Sequence, residues 1–438
     1  MTIENELSGN ISGKDENWIK LKSYLIKTIS GKLQTESASI EIHRKNIEKL
    51  LIEAYDLTKV NLAEEQREAL FNEIFYELVG YGPIQPLLDD PDVGEVMVNG
   101  PDMVFIEKHG ELFETDVKFE DNNHVMRVIN RMIHPMGRQV DADSPTMDAR
   151  LPDGSRVNVV VPPVAHKGPC ITVRKFLKNK LTIEEIIALG TLTDKMADFL
   201  EACVVSKLNI IISGNTSSGK TTLLNVMTGF IPGKERIVTI EDAAELQLKQ
   251  RHVVSLETKP PNADGKGEVA PRDLVRNVLR MRPDRIVVGE VRSGESLDML
   301  QALNTGHDGS LTTLHANSPR DAIARLETMA LMAGFDIPLR AIRTQIAAAI
   351  DLVVHMSRLQ DGTRKTTHIT EVSGMEGDVV TMSDIFKFEQ SGVGEDGKVL
   401  GELMPTGIRP MFTPRLEVSG YKLGADIFGM GSRQSFNT

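Results

Sequence analysis

Eight consecutive residues, Gly214-Asn215-Thr216-Ser217-Ser218-Gly219-Lys220-Thr221, match the pattern G-x-x-x-x-G-K-[ST] in full. At average residue usage, a chance match in a chain of 438 residues is expected roughly 0.01 to 0.02 times. The chemistry such a run can do is phosphate binding. Its glycines let backbone N–H groups close around a phosphate, and the N-terminus of a following helix adds its positive end. Lys220 is placed to reach the β- and γ-phosphates, and the Thr221 hydroxyl, with Thr222 behind it, is placed to ligate Mg²⁺. Residues 209–213 read as a buried strand and residues 221–227 as a helix, the context the pattern needs. A site for ATP with Mg²⁺ is expected here.

Hydrolysis also needs a carboxylate that orients water in line with the γ-phosphate. Arg285-Ile-Val-Val-Gly-Glu290 is an apolar strand ending in Glu290, with Gly289 where a first acid is common. Ile237-Val-Thr-Ile-Glu241-Asp242 is a second such strand. An acid after a strand is usually a loop charge or a helix cap; two of them beside a phosphate loop reverse that weighting. His307 and His315 flank the short strand 311–314, which would carry His315 to the same sheet edge. Arg272, Arg276 and Arg280 fall at i, i+4 and i+8, either a solvated helix face or a subunit interface. Arg156 and Arg174 lie in or beside strands of a preceding module. A surface ion pair is the simpler reading of their spacing; arginine fingers supplied from outside the phosphate-loop domain are the sharper one.

Three segments must position these groups. Residues 1–75 are charged and helical in pattern, with Ile40, Ile47, Leu50, Leu51, Ala54 and Leu57 near one face and a second helix expected to open at Asn61 with Glu64 completing its cap. Residues 76–178 read as an α+β module: strands at EVMVNG and MVFIEKHGEL, a helix from Asn123 to Met136, a hairpin about Asp153-Gly154, and a strand at CITVRKF. Residues 179–438 open with a capping box at Thr182 and Glu185, then alternate short β-branched runs with helix-length segments, the signature of a parallel sheet; turns are expected at Gly374 and Gly377. The balance of 50 Lys+Arg against 62 Asp+Glu gives a net charge of −12, which argues against direct nucleic-acid binding. No stretch without a formal charge exceeds the 13 residues 221–233, short of a membrane span, and the start MTIENELSGN lacks the basic and apolar runs of a signal peptide. A cytoplasmic location is expected. The two cysteines, Cys170 and Cys203, read as small buried side chains.

Taken together, the phosphate loop, Ile240-Glu241-Asp242, MRPDRIVVGEVR and TGHDGSLTTLHANSPRDAIARLETM resemble the secretion-superfamily traffic ATPases, the hexameric motors of type II and type IV secretion, type IV pili and archaella. GYGPIQPLLDDPDVGEVMVNGPD, DARLPDGSRVN and HITEVSGMEGDVVTMSDIF make the chain most similar to the Tad/Flp pilus assembly ATPase, the CpaF family. The likeness spans about residues 78–425. It implies a RecA-like P-loop ATPase domain preceded by a PAS-like α+β module and a helical extension. It also implies the Walker A role for residues 214–222, an Asp box at Glu241, a Walker B strand ending at Glu290, a His box at His315, and arginine fingers at Arg156 and Arg174. Glu290 is favoured as the base, with Glu241 as the alternative; Mg²⁺ would be held by Thr221 and, through a water, by Glu290. Ala142 departs from the Glu expected in many relatives. The resemblance further implies a homohexameric ring acting on inner-membrane platform proteins, peripheral to that membrane, to assemble a pilus. Rival readings are a conjugative, type IV or type II secretion motor and, from another class, a nucleotide-dependent scaffold without turnover.

Overall fold

The computed structural model describes residues 16–33, 40–108, 110–176, 181–261, 265–394 and 397–429. The opening MTIENELSGN, the position of His109 and the segment 177–180 lie outside the described residues. The chain divides into two compact units, Met1–Leu177 and Lys178–Thr438.

In the first unit, α1 (Glu16–Leu33), α2 (Ile40–Thr58) and α3 (Glu64–Leu78) share a core. Trp18, Leu21, Leu25 and Ile29 recur at helical spacing and meet Ile47, Leu51, Ala54, Leu70 and Ile74. Leu57 departs from the expected face and is 66 % exposed. Counting 3.6 residues per turn, it sits about 80° from Ile47. Thr58 takes the inward place and satisfies its hydroxyl on the Tyr55 carbonyl (2.6 Å). Nor does α3 open at Asn61. The Tyr55 hydroxyl accepts from the Leu62 N–H (2.9 Å) and Thr58 Oγ1 accepts from the Val60 N–H (3.3 Å), holding 60–62 out of the helix. Ala63 is the N-cap, its N–H bonded to Gln66 (3.3 Å).

A short helix α4 (Gln85–Asp89) leads into β1 (Val93–Asn99), β2 (Val104–Lys108), β3 (Glu111–Glu114), α5 (Asn122–Ile133), β4 (Thr146–Arg150), β5 (Arg156–Val160) and β6 (Cys170–Arg174). The six strands form one antiparallel sheet in the order β3-β2-β1-β6-β5-β4. Val157, Val159, Ile171 and Val173 alternate inward onto the core that α5 covers. The helical segment is tied to this module by side chains. Glu77 accepts from the buried His124 (2.9 Å), and Arg131 donates to the Gly80 carbonyl (2.6 Å). Burial alone would raise the Glu77 carboxyl, but His124, Lys22 and Arg131 hold it below its ordinary value.

The second unit runs α6 (Ile183–Ala188), α7 (Asp194–Val205), β7 (Ile210–Gly214), α8 (Lys220–Thr228), β8 (Ile237–Glu241), β9 (Val253–Glu257), α9 (Pro271–Val278), β10 (Arg285–Val288), α10 (Glu295–Leu303), β11 (Leu311–His315), α11 (Pro319–Leu331), α12 (Leu339–Ala349), β12 (Leu352–Arg358), β13 (Arg364–Glu376), β14 (Val379–Val393), β15 (Val399–Pro405) and α13 (Thr413–Val418). The capping box of Thr182 and Glu185 opens α6 as expected. Nine strands form one sheet, β15-β14-β13-β12-β7-β11-β10-β8-β9. From β12 to β9 neighbours run parallel; from β12 to β15 they run antiparallel. The parallel strands β7, β8 and β10 are buried along their length because helices cover both faces. Helices α7, α8 and α13 pack on one face and α9 to α12 on the other. Gly374, expected as a turn, is a bulge within β13, and the turn itself lies at Gly377. Cys203 is buried, whereas Cys170 is only half-buried.

Arg285 is the largest fully buried side chain. Its guanidinium is bonded to Glu235 (2.5 Å) and to the Gly309 carbonyl (3.1 Å), and a Cβ at position 309 would collide with it. Replacing Arg285 by alanine leaves Glu235 nearly buried and unpaired. The expected loss is about 3–5 kcal/mol, visible as a lower denaturation midpoint of the second unit.

Candidate active site

The carboxyl ends of β7, β11, β10 and β8 lie side by side, and in an open α/β sheet this is the ligand edge. His315 stands opposite Gly214 in the parallel register, so the expected histidine adjoins the start of the phosphate loop. Between β7 and α8 the loop takes an unusual path. Gly214, Ser217 and Gly219 have φ of 155°, 59° and 94°. A Cβ at 214 would run into the Met356 carbonyl and Ser218 Oγ, so only glycine fits there. Gly219 caps α8 without any side-chain hydrogen bond, leaving the first N–H groups of α8 facing the loop. Ser218 Oγ is buried with no partner among the described residues. A backbone cradle with a positive helix end and an orphaned hydroxyl fits a bound polyphosphate.

Lys220 is nearly buried and donates to the Asn215 carbonyl across the loop (2.9 Å). Burial lowers its pKa and the negative charge of Glu290 opposes that shift. Thr221 and Thr222 occupy the first turn of α8, half-buried. Arg364, from β13, donates to the Ser217 carbonyl (3.0 Å) and so braces the loop from the side.

Both oxygens of Glu290 are engaged. Oε1 lies 3.1 Å from His315 Nε2, and Oε2 accepts from Arg292 (2.8 Å). Burial pushes this carboxyl up, but the hydrogen bond and charge of Arg292, with His315 and Lys220, hold it below its ordinary value. For His315, burial and the nearby Lys220 lower the pKa, so the ring is neutral at pH 7 and Nε2–H is its donor toward Glu290. Glu241 is differently placed. Its Oε1 accepts from the Glu245 and Leu246 N–H groups (2.8 and 3.0 Å), closing its own loop, while Oε2 is buried without a partner among the described residues. Burial raises its pKa. Gly289 stands against it: a Cβ at that position would come within 2.9 Å of Glu241 Cγ. The missing first acid thus makes room for Glu241.

Arg292 went unnoticed in the sequence, although an E-x-R step at a strand end puts both side chains on one side. It bridges Glu290 and Asp242 (3.1 Å). Glu295, almost buried, accepts from the N–H groups of Arg292 and Ser293 (2.7 and 2.8 Å) and fixes that turn. His307 lies elsewhere, its Nδ1 3.2 Å from the Ala302 carbonyl at the end of α10. The arginine series is corrected as well. Arg272 and Arg276 clamp Asp298 on α10 (2.6 and 2.8 Å), and Arg280 lies beyond the end of α9. Arg156 and Arg174 belong to the first unit, paired in register across β5 and β6. Arg174 also meets Glu95 (3.2 Å).

Fold and site together define a P-loop nucleotide-binding α/β domain with a carboxylate and a histidine beside the loop. Residues 77–391 match the family described as type II/IV secretion system protein. The chain belongs to that family. It is 36% identical over 334 residues to a Mycobacterium tuberculosis protein whose name suggests a role in conjugal transfer, covering 75% of this chain and 94% of that protein. It is 32% identical over 319 residues to the type IV secretion system protein VirB11 of Brucella suis, covering 66% and 88%. Among solved structures, the VirB11 ATPase of Brucella suis in complex with sulphate aligns at 30% identity with a TM-score of 0.37, over 66% of this chain and 94% of that one. No helix among the described residues is long and apolar enough to cross a membrane.

Proposed function

We propose that the chain is an ATP-hydrolysing motor of a type II/IV secretion-family machine, working as a homohexameric ring. One observation supports it above all: Lys220, Glu290 and His315 converge at the carboxyl edge of the parallel sheet beside an open phosphate cradle. The loop N–H groups and Lys220 bind the β- and γ-phosphates. Glu290, ionised and steadied by the neutral His315, accepts a proton from water aimed at the γ-phosphate. Thr221 and, through a water, Glu290 would hold Mg²⁺, which would supply neutralisation of phosphate charge. A carboxylate and a histidine side by side at a nucleotide edge, with Lys220 in the adjoining loop, favour turnover over a passive scaffold, and phosphate release by the purified protein is the test.

In this reading the second unit is the RecA-like motor domain, residues 179–438. The antiparallel sheet with one covering helix supports a PAS-like module at 76–178, and its separate core supports a helical extension at 1–75. Arg156 and Arg174 would act on the γ-phosphate as arginine fingers, within one chain or across a subunit boundary. Replacing either by alanine should cut turnover by about 10³-fold or more while sparing ADP binding. Mixing Arg174→Ala with Lys220→Ala protein should restore part of the activity if the arginine acts across a subunit boundary. Undiminished turnover in both single variants removes the finger role.

The cargo has two readings. The motifs DARLPDGSRVN and HITEVSGMEGDVVTMSDIF support assembly of a Tad/Flp-type pilus through inner-membrane platform proteins. Relatives named for conjugal transfer and type IV secretion support a transfer or secretion motor at least as well. A deletion strain separates them: surface pili disappear under the first reading, and substrate transfer fails with pili intact under the second.

A further inference from the structure

We propose that Arg292 is an active-site residue that exchanges partners: without nucleotide it holds Glu290 and Asp242, and with a nucleoside triphosphate bound it moves to the γ-phosphate, freeing Glu290 Oε2 for water. The inference rests on the ATPase reading above and adds to it a residue and a sequence of contacts. Three observations carry it. First, Glu290 has no free oxygen in this structure, since His315 takes one and Arg292 the other. A carboxylate whose charge two donors already stabilise is a poor base toward water until one partner leaves. Second, Arg292 is the partner built to leave. Its side chain is 56 % exposed, and exposed ion pairs are weak. Its backbone, by contrast, is held by the nearly buried Glu295, so the guanidinium swings from a fixed pivot. Third, the pair lies at the edge of the phosphate loop: Arg292 holds one Glu290 oxygen, His315 meets the other, and His315 stands opposite Gly214, the first residue of that loop. The γ-phosphate that Lys220 is expected to reach therefore arrives within range of Arg292. A terminal phosphate carries more negative charge than a carboxylate and matches the guanidinium fork. A diphosphate presents no such group, so Arg292 would stay on Glu290 and the base would stay blocked.

The test compares wild type, Arg292→Ala and Arg292→Lys for ADP affinity, affinity for the β,γ-imido triphosphate analogue, and phosphate release, with Lys220→Ala as control. Arg292→Ala should bind ADP within about twofold of wild type, bind the analogue about tenfold more weakly, and turn over about 10²- to 10³-fold more slowly. Arg292→Lys should fall between, keeping the charge without the fork. Turnover in Arg292→Ala equal to or above wild type would overturn the proposal, as would equal losses of ADP and analogue binding. If Arg292→Ala does not fold, Arg292→Gln carries the same comparison. A wild type without Lys220-dependent turnover overturns the ATPase reading and this inference together; Lys220-dependent turnover that ignores Arg292 overturns this inference alone.

Discussion

Lys220→Ala protein should fold as the parent does and release no phosphate above background. The side chain lies at the first position of α8, where alanine is the best helix former, so the helix is not weakened. What disappears is the donor to the Asn215 carbonyl and the ammonium charge that reaches across the loop. The first loss costs about 1 kcal/mol of stability. The second removes the cation that follows charge from the β,γ-bridge into the transition state, a contribution of about 10²- to 10³-fold or more in rate. Phosphate release read beside a thermal melt separates the two effects. Turnover unchanged from wild type would sink the assignment of the loop.

Glu290→Gln should bind nucleotide and fail to hydrolyse it, with turnover down about 10²- to 10⁴-fold. Glutamine keeps the length, and its carbonyl oxygen can still accept from Arg292 or His315, but its NH2 cannot accept from the other and its amide cannot take a proton. Glu241→Gln should behave otherwise. One amide oxygen can go on accepting from the Glu245 and Leu246 N–H groups, so the loop survives and turnover falls less. The pH profile of kcat/KM, which reports the enzyme before nucleotide binds, gives a second discriminator. Arg292, with His315 and Lys220, holds Glu290 below the ordinary 4.5, so a rate that depends on ionised Glu290 persists as pH falls through that value and is lost only below it. Burial raises Glu241 above 4.5, so were Glu241 the base, the rate would fall earlier, at higher pH. A dead Glu241→Gln with an active Glu290→Gln would transfer the role to Glu241.

Local patterns carried much of this protein. The phosphate loop was legible because its chemistry is done by contiguous residues whose types are set by backbone geometry, with glycines at 214 and 219 where φ is positive. Strands 237–241 and 285–288 were legible because strands buried on both faces must be continuously apolar. Thr182 with Glu185 announced a helix start through hydrogen bonds that reach only three residues. Where local signals failed, a distant group had already claimed the residue. Asn61 looked like a cap until the Tyr55 hydroxyl took the neighbouring N–H. Arg272 and Arg276 looked like a free row until Asp298, on another helix, paired with both, leaving Arg276 exposed.

Sequence alone thus determined the nucleotide loop, the acids at two strand ends and the alternation that makes a parallel sheet, because each is written within a few residues. Tertiary structure decided what those acids do. The strand order β7-β11-β10-β8 sets His315 beside both Gly214 and Glu290, while the loop after β8 turns Glu241 onto its own backbone. Only the meeting of two strand ends, those of β10 and β8, joins Arg292 and Glu290 to Asp242. The physical reason is range: hydrogen bonds and burial along a helix or strand act between near neighbours, whereas a carboxylate's ionisation answers to every charge within a few ångströms, whatever its place in the chain.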